Sequence, residues 1–320
     1  MRDIIFDTDH HHGHELGPDG GSAALLARLE TYYDAVPRFS ATAEEHGPFT
    51  LFLRTGEGWH YYARPTLGSS GPFTADQVQQ VRARQRAAGA PESFEWVHET
   101  TPGLRAAVEA AGLTVHAHPL LVLDLDDAAV PAPTSAPTPA PVSASASAST
   151  STSTSTSTED GGAEVLVLSP GDPLLPSAVA LPHLAFAEPG TAVGTAGPEQ
   201  LAAAARAAAD DGSAARMEGR ITAGRTVLAA VPGPDGLAIS SGCHQPVEGV
   251  SEIVGIATLP ALRRRGLARR LTLGLVEHAR ATGVRTVFLS ASDEAVARIY
   301  QQVGFRRAAT ALIAEPPTTD

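Results

Sequence analysis

Apolar residues recur at every fourth position, at Leu267, Leu271, Leu275 and Ala279, and predict a helix over about 265–282 with one buried stripe. Gly283 follows as its C-terminal stop. A short apolar run at 286–289 reads as a buried strand. Ser292 or Asp293 then caps a helix carrying Val296, Ile299 and Val303 on one face, which stops at Gly304. A last strand is expected over 310–314. Upstream, 164–168, 226–231, 237–241 and 253–259 read as strands, and the Ala-rich 198–209 as a helix. Pro-Gly-Pro-Asp-Gly at 232–236 marks a turn between two of the strands.

The front half is patterned more tersely. Residues 49–54 and 59–63 read as a hairpin around Gly56–Gly58. Residues 74–88 read as a helix, 94–97 as a strand, 102–111 as a helix and 113–123 as a strand. The ends of the two halves share a layout. A strand ends at Val97 or Leu289, and fifteen residues later comes Gly112 or Gly304, followed by Leu113 or Phe305. This spacing suggests an internal duplication; strand–helix–Gly–strand is also common in any α/β protein.

Low-complexity sequence separates the halves. From about 128 to 162 the chain runs through PAPTSAPTPAP and TSTSTSTSTEDGG, with too little apolar surface to offset ordering entropy. It is expected to be a flexible linker that lets the halves dock or drift apart. Residues 1–20 are expected to form a disordered, His-rich tail. Its stretch DHHHGH matches no defined zinc spacing, so no metal is expected. The domains so delimited are 21–127 and 163–320.

Charge narrows the classes of function. The chain has 320 residues and a formal net charge of −12, and all its basic residues are Arg. Residues 1–127 hold 9 Arg against 18 Asp and Glu, which argues against non-specific nucleic-acid binding. The single cysteine, Cys243, excludes an intrachain disulfide and reads as a small buried hydrophobe. No apolar run is long enough to span a bilayer, and the first residues lack a signal-peptide pattern, so neither a membrane nor export is expected. The expected location is cytoplasmic. Trp59, Tyr61, Tyr62 and Trp96 make the front half aromatic-rich, either lining a substrate site or packing its sheet.

Against this acidic background, five Arg fall within the eight residues 263–270, around the start of the predicted helix. A helix N-terminus already attracts anions, so these arginines need a partner. Gly266 and Ala268 leave room for close backbone approach, and the first helical N–H groups lack intrahelical acceptors. Together with Arg263, Arg264 and Arg265 they make an anion site suited to phosphate.

The stretch Arg263-Arg264-Arg265-Gly266-Leu267-Ala268 resembles the acetyl-CoA loop of the GNAT-type N-acetyltransferase superfamily, Arg/Gln-x-x-Gly-x-Gly/Ala. The order of elements strengthens the match, as does 293-DEAVARIYQQVGF-305, with Tyr300, Gly304 and Phe305 at the family's positions. The resemblance covers about 163–316. It implies a mixed-sheet α/β fold in the C-terminal half, and the front half looks like a smaller, degenerate copy. It further implies transfer of the acetyl group of acetyl-CoA directly to a primary amine of a small molecule or peptide.

By this resemblance the backbone at Ile256, Ala257 and Thr258 binds the pantetheine arm. The 263–268 loop, Leu267 included, holds the pyrophosphate, and Asp293 stands where the family carries a cofactor-contacting Asn. Tyr300 is the family's proton donor, and Glu252 sits where a base often acts through water. His244 is a rival base, or an ordinary surface or hairpin residue; Glu188 is a further acidic candidate facing the acceptor. A non-catalytic acyl-CoA-binding sensor is the alternative function, kept open by Asp293 and the unassigned base.

Overall fold

A computed structural model describes residues 20–126 and 164–317. The expected His-rich tail and the linker lie outside these residues. The elements run α1 (Gly20–Ala35), β1 (Ala41–His46), β2 (Phe49–Arg54), β3 (Ala63–Pro65), α2 (Ala75–Ala87), β4 (Phe94–Val97), α3 (Leu104–Ala110) and β5 (Thr114–Asp124). The second half runs β6 (Leu166–Val167), α4 (Leu175–Ala187), α5 (Pro198–Asp210), α6 (Ser213–Thr222), β7 (Val227–Pro232), β8 (Ala238–Val247) and β9 (Val250–Thr258). It ends with α7 (Leu267–Ala281), β10 (Thr286–Ser290), α8 (Glu294–Gln301) and β11 (Arg306–Glu315).

Local chemistry accounts for most of these boundaries. Thr74 and Gln77 cap α2 reciprocally, each side chain bonding the other's backbone N–H. The Leu267–Ala279 stripe of α7 is buried against the sheet as its spacing predicts. The hairpin expectation fails in part. Arg54 bonds the carbonyls of Glu57 and Trp59, which holds the loop away from the ladder, and β2 pairs antiparallel with β1 on one side and with 63–65, rather than 59–63, on the other.

All eleven strands form one sheet, in the order β1-β2-β3-β4-β11-β5-β10-β9-β8-β7-β6. The layout is symmetric about its centre: β3–β4 and β9–β10 are parallel, and every other pair is antiparallel. Each half gives its last strand to the other. β5 pairs with β10, β11 pairs with β4, and β5 and β11 pair with each other along the middle. The expectation that the halves can drift apart is therefore corrected, because separation would break both ladders. The strand exchanged is the last one of the repeated strand–helix–Gly–strand unit. α1 lies across the centre on one face, with Leu29, Tyr32 and Tyr33 packed on Val97, Leu120, Val122, Val250 and Phe288. On the opposite face, α7 and α8 cover one half and α2 and α3 the other.

Candidate active site

Strands β9 and β10 pair only at Thr286↔Val250, Val287↔Ser251 and Phe288↔Glu252, and then diverge. The register of β8 against β9 slips between Cys243 and Ser241, so that two residues of β9, Gly255 and Ile256, oppose one of β8, Gly242. Gly255 sits in this bulge at φ +68°, a backbone conformation that favours glycine. The bulge re-aims β9 just where its ladder with β10 stops. The edge of Ile256, Ala257 and Thr258 that faces β10 is thereby left without a strand partner.

A cavity of about 520 Å³ opens at this point. It brings together Ile256, Ala257 and Thr258, the loop residues Arg263, Arg264, Gly266, Leu267 and Ala268, and Tyr300 from α8. Phe186, Thr191 and Gln302, which the sequence did not mark, also line it, as do Ser292, Val296 and Ile299, expected only as a helix cap and a helix face. For Val296 and Ile299 the helical face was the available signal. The α4–α5 loop that supplies Phe186 and Thr191 carries none.

The loop follows the logic of an anion cradle. Arg264 (φ +67°) and Gly266 (φ +73°) both take left-handed backbone, which turns the chain into α7. A Cβ built on Gly266 meets nothing within 4 Å, so the approach to the helix N-terminus is open. Arg263 instead donates to the carbonyls of Ala185 (2.7 Å) and Ala192 (3.2 Å), tying the α4–α5 loop over the site. Arg265 does not line the cavity. Nor does Asp293, whose carboxylate accepts from Val296 N–H at 2.8 Å and caps α8. That backbone bond holds the Asp293 carboxyl below its ordinary range. The side chain that the family pattern assigns to the cofactor is here tied to the helix cap.

Tyr300 is 8% exposed and packs edge-on against Phe305 at 6.2 Å. Burial pushes its phenol up to about 12, so it holds its proton at neutral pH. Glu252 is not among the lining residues of this cavity. It stands at the last β9–β10 pair, two residues from Val250 and on the same face. Burial, then repulsion from Glu95, raises its carboxyl to about 8, with Arg64 opposing.

Other expectations resolve differently. Glu188 accepts from the N–H groups of Thr195 and Ala196, both at 2.8 Å, and so shapes the α4–α5 loop instead of facing an acceptor. Cys243 is buried, and burial raises its thiol to about 11, which leaves it protonated. Trp96 belongs to the front-half core, whereas Trp59 is 74% exposed and stacks on His183 of α4.

His244 is a buried β8 residue and not a surface one. Its Nδ1 is 2.8 Å from Ser251 Oγ, and its Nε2 is 3.0 Å from His278 Nδ1 on α7. Burial, then His278, lowers its imidazole to about 4. Below the ordinary value of 6.5 the unfolded chain takes up a proton that the folded chain refuses, so stability is lost as pH falls from 6.5 toward 4. Glu95 and Glu252 work the other way, because their raised carboxyls stabilise the fold as they protonate. The histidine contribution is therefore read as a difference. Between pH 7.5 and 5.5, the wild type should lose about 1.3 kcal/mol of unfolding free energy relative to His244→Gln. Urea melts at the two pH values measure it, and parallel changes in the two proteins would refute it.

Among the described residues, no helix is long and apolar enough to cross a membrane, and no group of three or more His, Cys, Asp or Glu is placed to hold a metal ion.

Residues 187–305 match the family model described as Acetyltransferase (GNAT) family. Among solved structures, the chain is similar to a GCN5-related N-acetyltransferase from Kribbella flavida. The two are 20% identical with a TM-score of 0.60, over 92% of this chain and 96% of that one. A putative acetyltransferase from the GNAT family of Novosphingobium aromaticivorans is 19% identical (TM-score 0.45, 88% and 93% covered). A tandem GNAT protein from the clavulanic acid biosynthesis pathway is 14% identical (TM-score 0.47, 85% and 79% covered). The Kribbella likeness concerns the fold, and it extends over nearly the full length of both chains. No curated protein sequence matches.

Proposed function

We propose that this protein, whose residues 187–305 match the GNAT acetyltransferase family model, transfers the acetyl group of acetyl-CoA to a primary amine of a small molecule or peptide. One observation carries the reading. A single cavity joins the unpaired edge of β9, the open glycine turn at the N-terminus of α7 and the protonated phenol of Tyr300.

These parts fit the donor in chemistry and in shape. The first N–H groups of α7 point at the loop and suit a pyrophosphate, with Arg264 beside them. The unpaired backbone at 256–258 suits an amide-bearing arm, as one strand edge suits another. When bound, acetyl-CoA supplies an activated acyl group and a thiolate leaving group. In its ionised form, which gains population as pH rises through about 8, Glu252 takes a proton from the acceptor ammonium, directly or through water, and so frees the nitrogen lone pair. The new C–N bond forms as the C–S bond breaks, Tyr300 gives its proton to the departing sulfur, and the second proton of the acylated nitrogen passes to the resulting phenolate, restoring Tyr300. A carboxyl near 8 has a proton affinity matched to an amine better than that of an ordinary glutamate.

Incubation with acetyl-CoA and a panel of primary amines, followed by free-thiol release, tests this. Amine-dependent release is expected. Tight acetyl-CoA binding without release across a broad panel would replace the enzyme reading with that of a non-catalytic acyl-CoA sensor.

A further inference from the structure

Both halves contribute carboxylates to one face of the sheet. Val97 of β4 and Val250 of β9 lie under α1, so Glu95 and Glu252, each two residues away along its strand, face the same side. Geometry links the two: Glu252 pairs with Phe288, Phe288 packs on Tyr33, and Tyr33 carries Arg64 over its ring. Arg64 adjoins the β3–β4 pair beside Glu95, whose charge, after burial, raises the Glu252 carboxyl. Each is partly exposed, so solvent reaches both carboxylates, and the crevice is the face between them under the end of α1. The C-terminal end of α1 forms one wall. There Tyr32 takes a bond from Glu252 N–H and donates to Gln245 O. Tyr62, preceding β3, places its hydroxyl beside Glu95.

The charges in this crevice do not balance. Arg64 is the cation there, 1% exposed and stacked over the Tyr33 ring at 4.7 Å. It is bonded to Glu30 at 2.6 Å, and Glu30 is bonded in turn by Thr100. Glu95 and Glu252 have no salt-bridge partner among the described residues. A second observation comes from a neutral group. The Tyr33 hydroxyl, on a residue 4% exposed, has no hydrogen-bond partner, and both carboxylates act on it electrostatically. A buried hydroxyl without a partner, beside two carboxyls whose one nearby cation is already ion-paired to Glu30, describes a site for a polar, positively charged group.

We infer that Glu95 and Glu252, one from each half, form the binding site for the ammonium group of a cationic acceptor, with Tyr33 and Tyr62 completing its polar wall. This rests on the acetyltransferase reading for its role, though not for its existence as a cation site. The crevice places the ammonium against Glu252, the proposed base, and makes Glu95 a specificity-determining residue supplied by the half that has no coenzyme loop. It also explains why the front half is retained: half of the acceptor pocket is its own.

The test is Glu95→Gln in the full chain, a near-isosteric change that removes one charge from a repelling pair. With the best amine of the panel, its acceptor KM should rise at least tenfold while the KM for acetyl-CoA stays within about twofold. Loss of the Glu95 charge should also move the acid limb of kcat/KM to lower pH, because Glu252 no longer titrates against it. Arg64, Glu30, Tyr32, Tyr33 and Tyr62 face the same space and are unchanged.

A second arm reads binding without turnover. Benzylammonium chloride titrated calorimetrically into the CoA-saturated protein should give saturable heat that Glu95→Gln abolishes, while benzyl alcohol stays silent with both. An unchanged acceptor KM with an unmoved pH limb would overturn the inference, as would equal or absent benzylammonium binding by both proteins. Glu95-dependent benzylammonium binding without acetyl transfer would leave the cation site standing and remove the enzyme reading. Acetyl transfer indifferent to Glu95 would do the reverse. A melting temperature at or above that of the wild type confirms that the variant is folded.

Discussion

Gly266→Glu should weaken coenzyme A binding at least a hundredfold. The position faces open space at the mouth of the cavity, so the new side chain enters the path of the phosphates without striking the protein first. A carboxylate about 4–5 Å from a phosphate costs roughly 3–4 kcal/mol at the effective dielectric of a protein surface, and the helix N-terminus would hold that carboxylate in place. A hundredfold loss corresponds to about 2.7 kcal/mol, so the charge alone suffices. Backbone strain is a separate effect. Gly266 has φ +73°, and any L side chain there costs about 1–2 kcal/mol, in the free and the bound protein alike. Gly266→Ala should therefore lower stability by that amount and change affinity less than tenfold. Titration calorimetry with coenzyme A on both variants separates charge from strain. Retained affinity in Gly266→Glu would remove the pyrophosphate from this loop.

Tyr300→Phe should lower kcat for amine acetylation by about 10²–10³-fold, the usual contribution of a positioned general acid. Coenzyme A affinity should stay within about twofold. The substitution is clean for structural reasons. Phenylalanine keeps the ring against Phe305, and the Tyr300 hydroxyl has no protein partner among the described residues for its loss to strand. A fall in kcat with unchanged binding would locate the defect in the chemical step. Unaffected turnover would sink the proton-donor role and leave Tyr300 as a packing residue.

The parts of this architecture legible in the sequence are those governed by neighbours along the chain. The four-residue spacing in α7, the Asp293 cap and the stops at Gly283 and Gly304 are local statements, and the fold contains each of them. α1 was legible too, since Leu25, Leu26, Leu29, Tyr32, Tyr33 and Val36 repeat at helical spacing, but a Gly-Gly start concealed it. α4 carries Pro182 in its interior, which reads as a breaker. The cavity between β9 and α7 was half legible: the loop and Tyr300 lie on motifs, whereas Phe186 and Thr191 arrive from a loop with no pattern. Glu95 could not have been found. Nothing near it in sequence signals that β4 and β9 share a crevice, because that proximity depends on which strands pair across the whole chain.

The exchanged strands bear on how the protein is made. The ladder that completes the front half is β11, the last strand of the described chain, so β4 and β5 wait with open edges until synthesis has passed residue 306. Most multidomain chains settle their first domain while the second is still emerging from the ribosome. Here the first half can acquire its helices early, but its sheet closes only at the end, by contacts of very long sequence separation, which slow folding. Open strand edges in that interval are where wrong pairings form. Ending the chain before residue 306 would accordingly unmake both halves at once, including the one that the missing segment does not belong to.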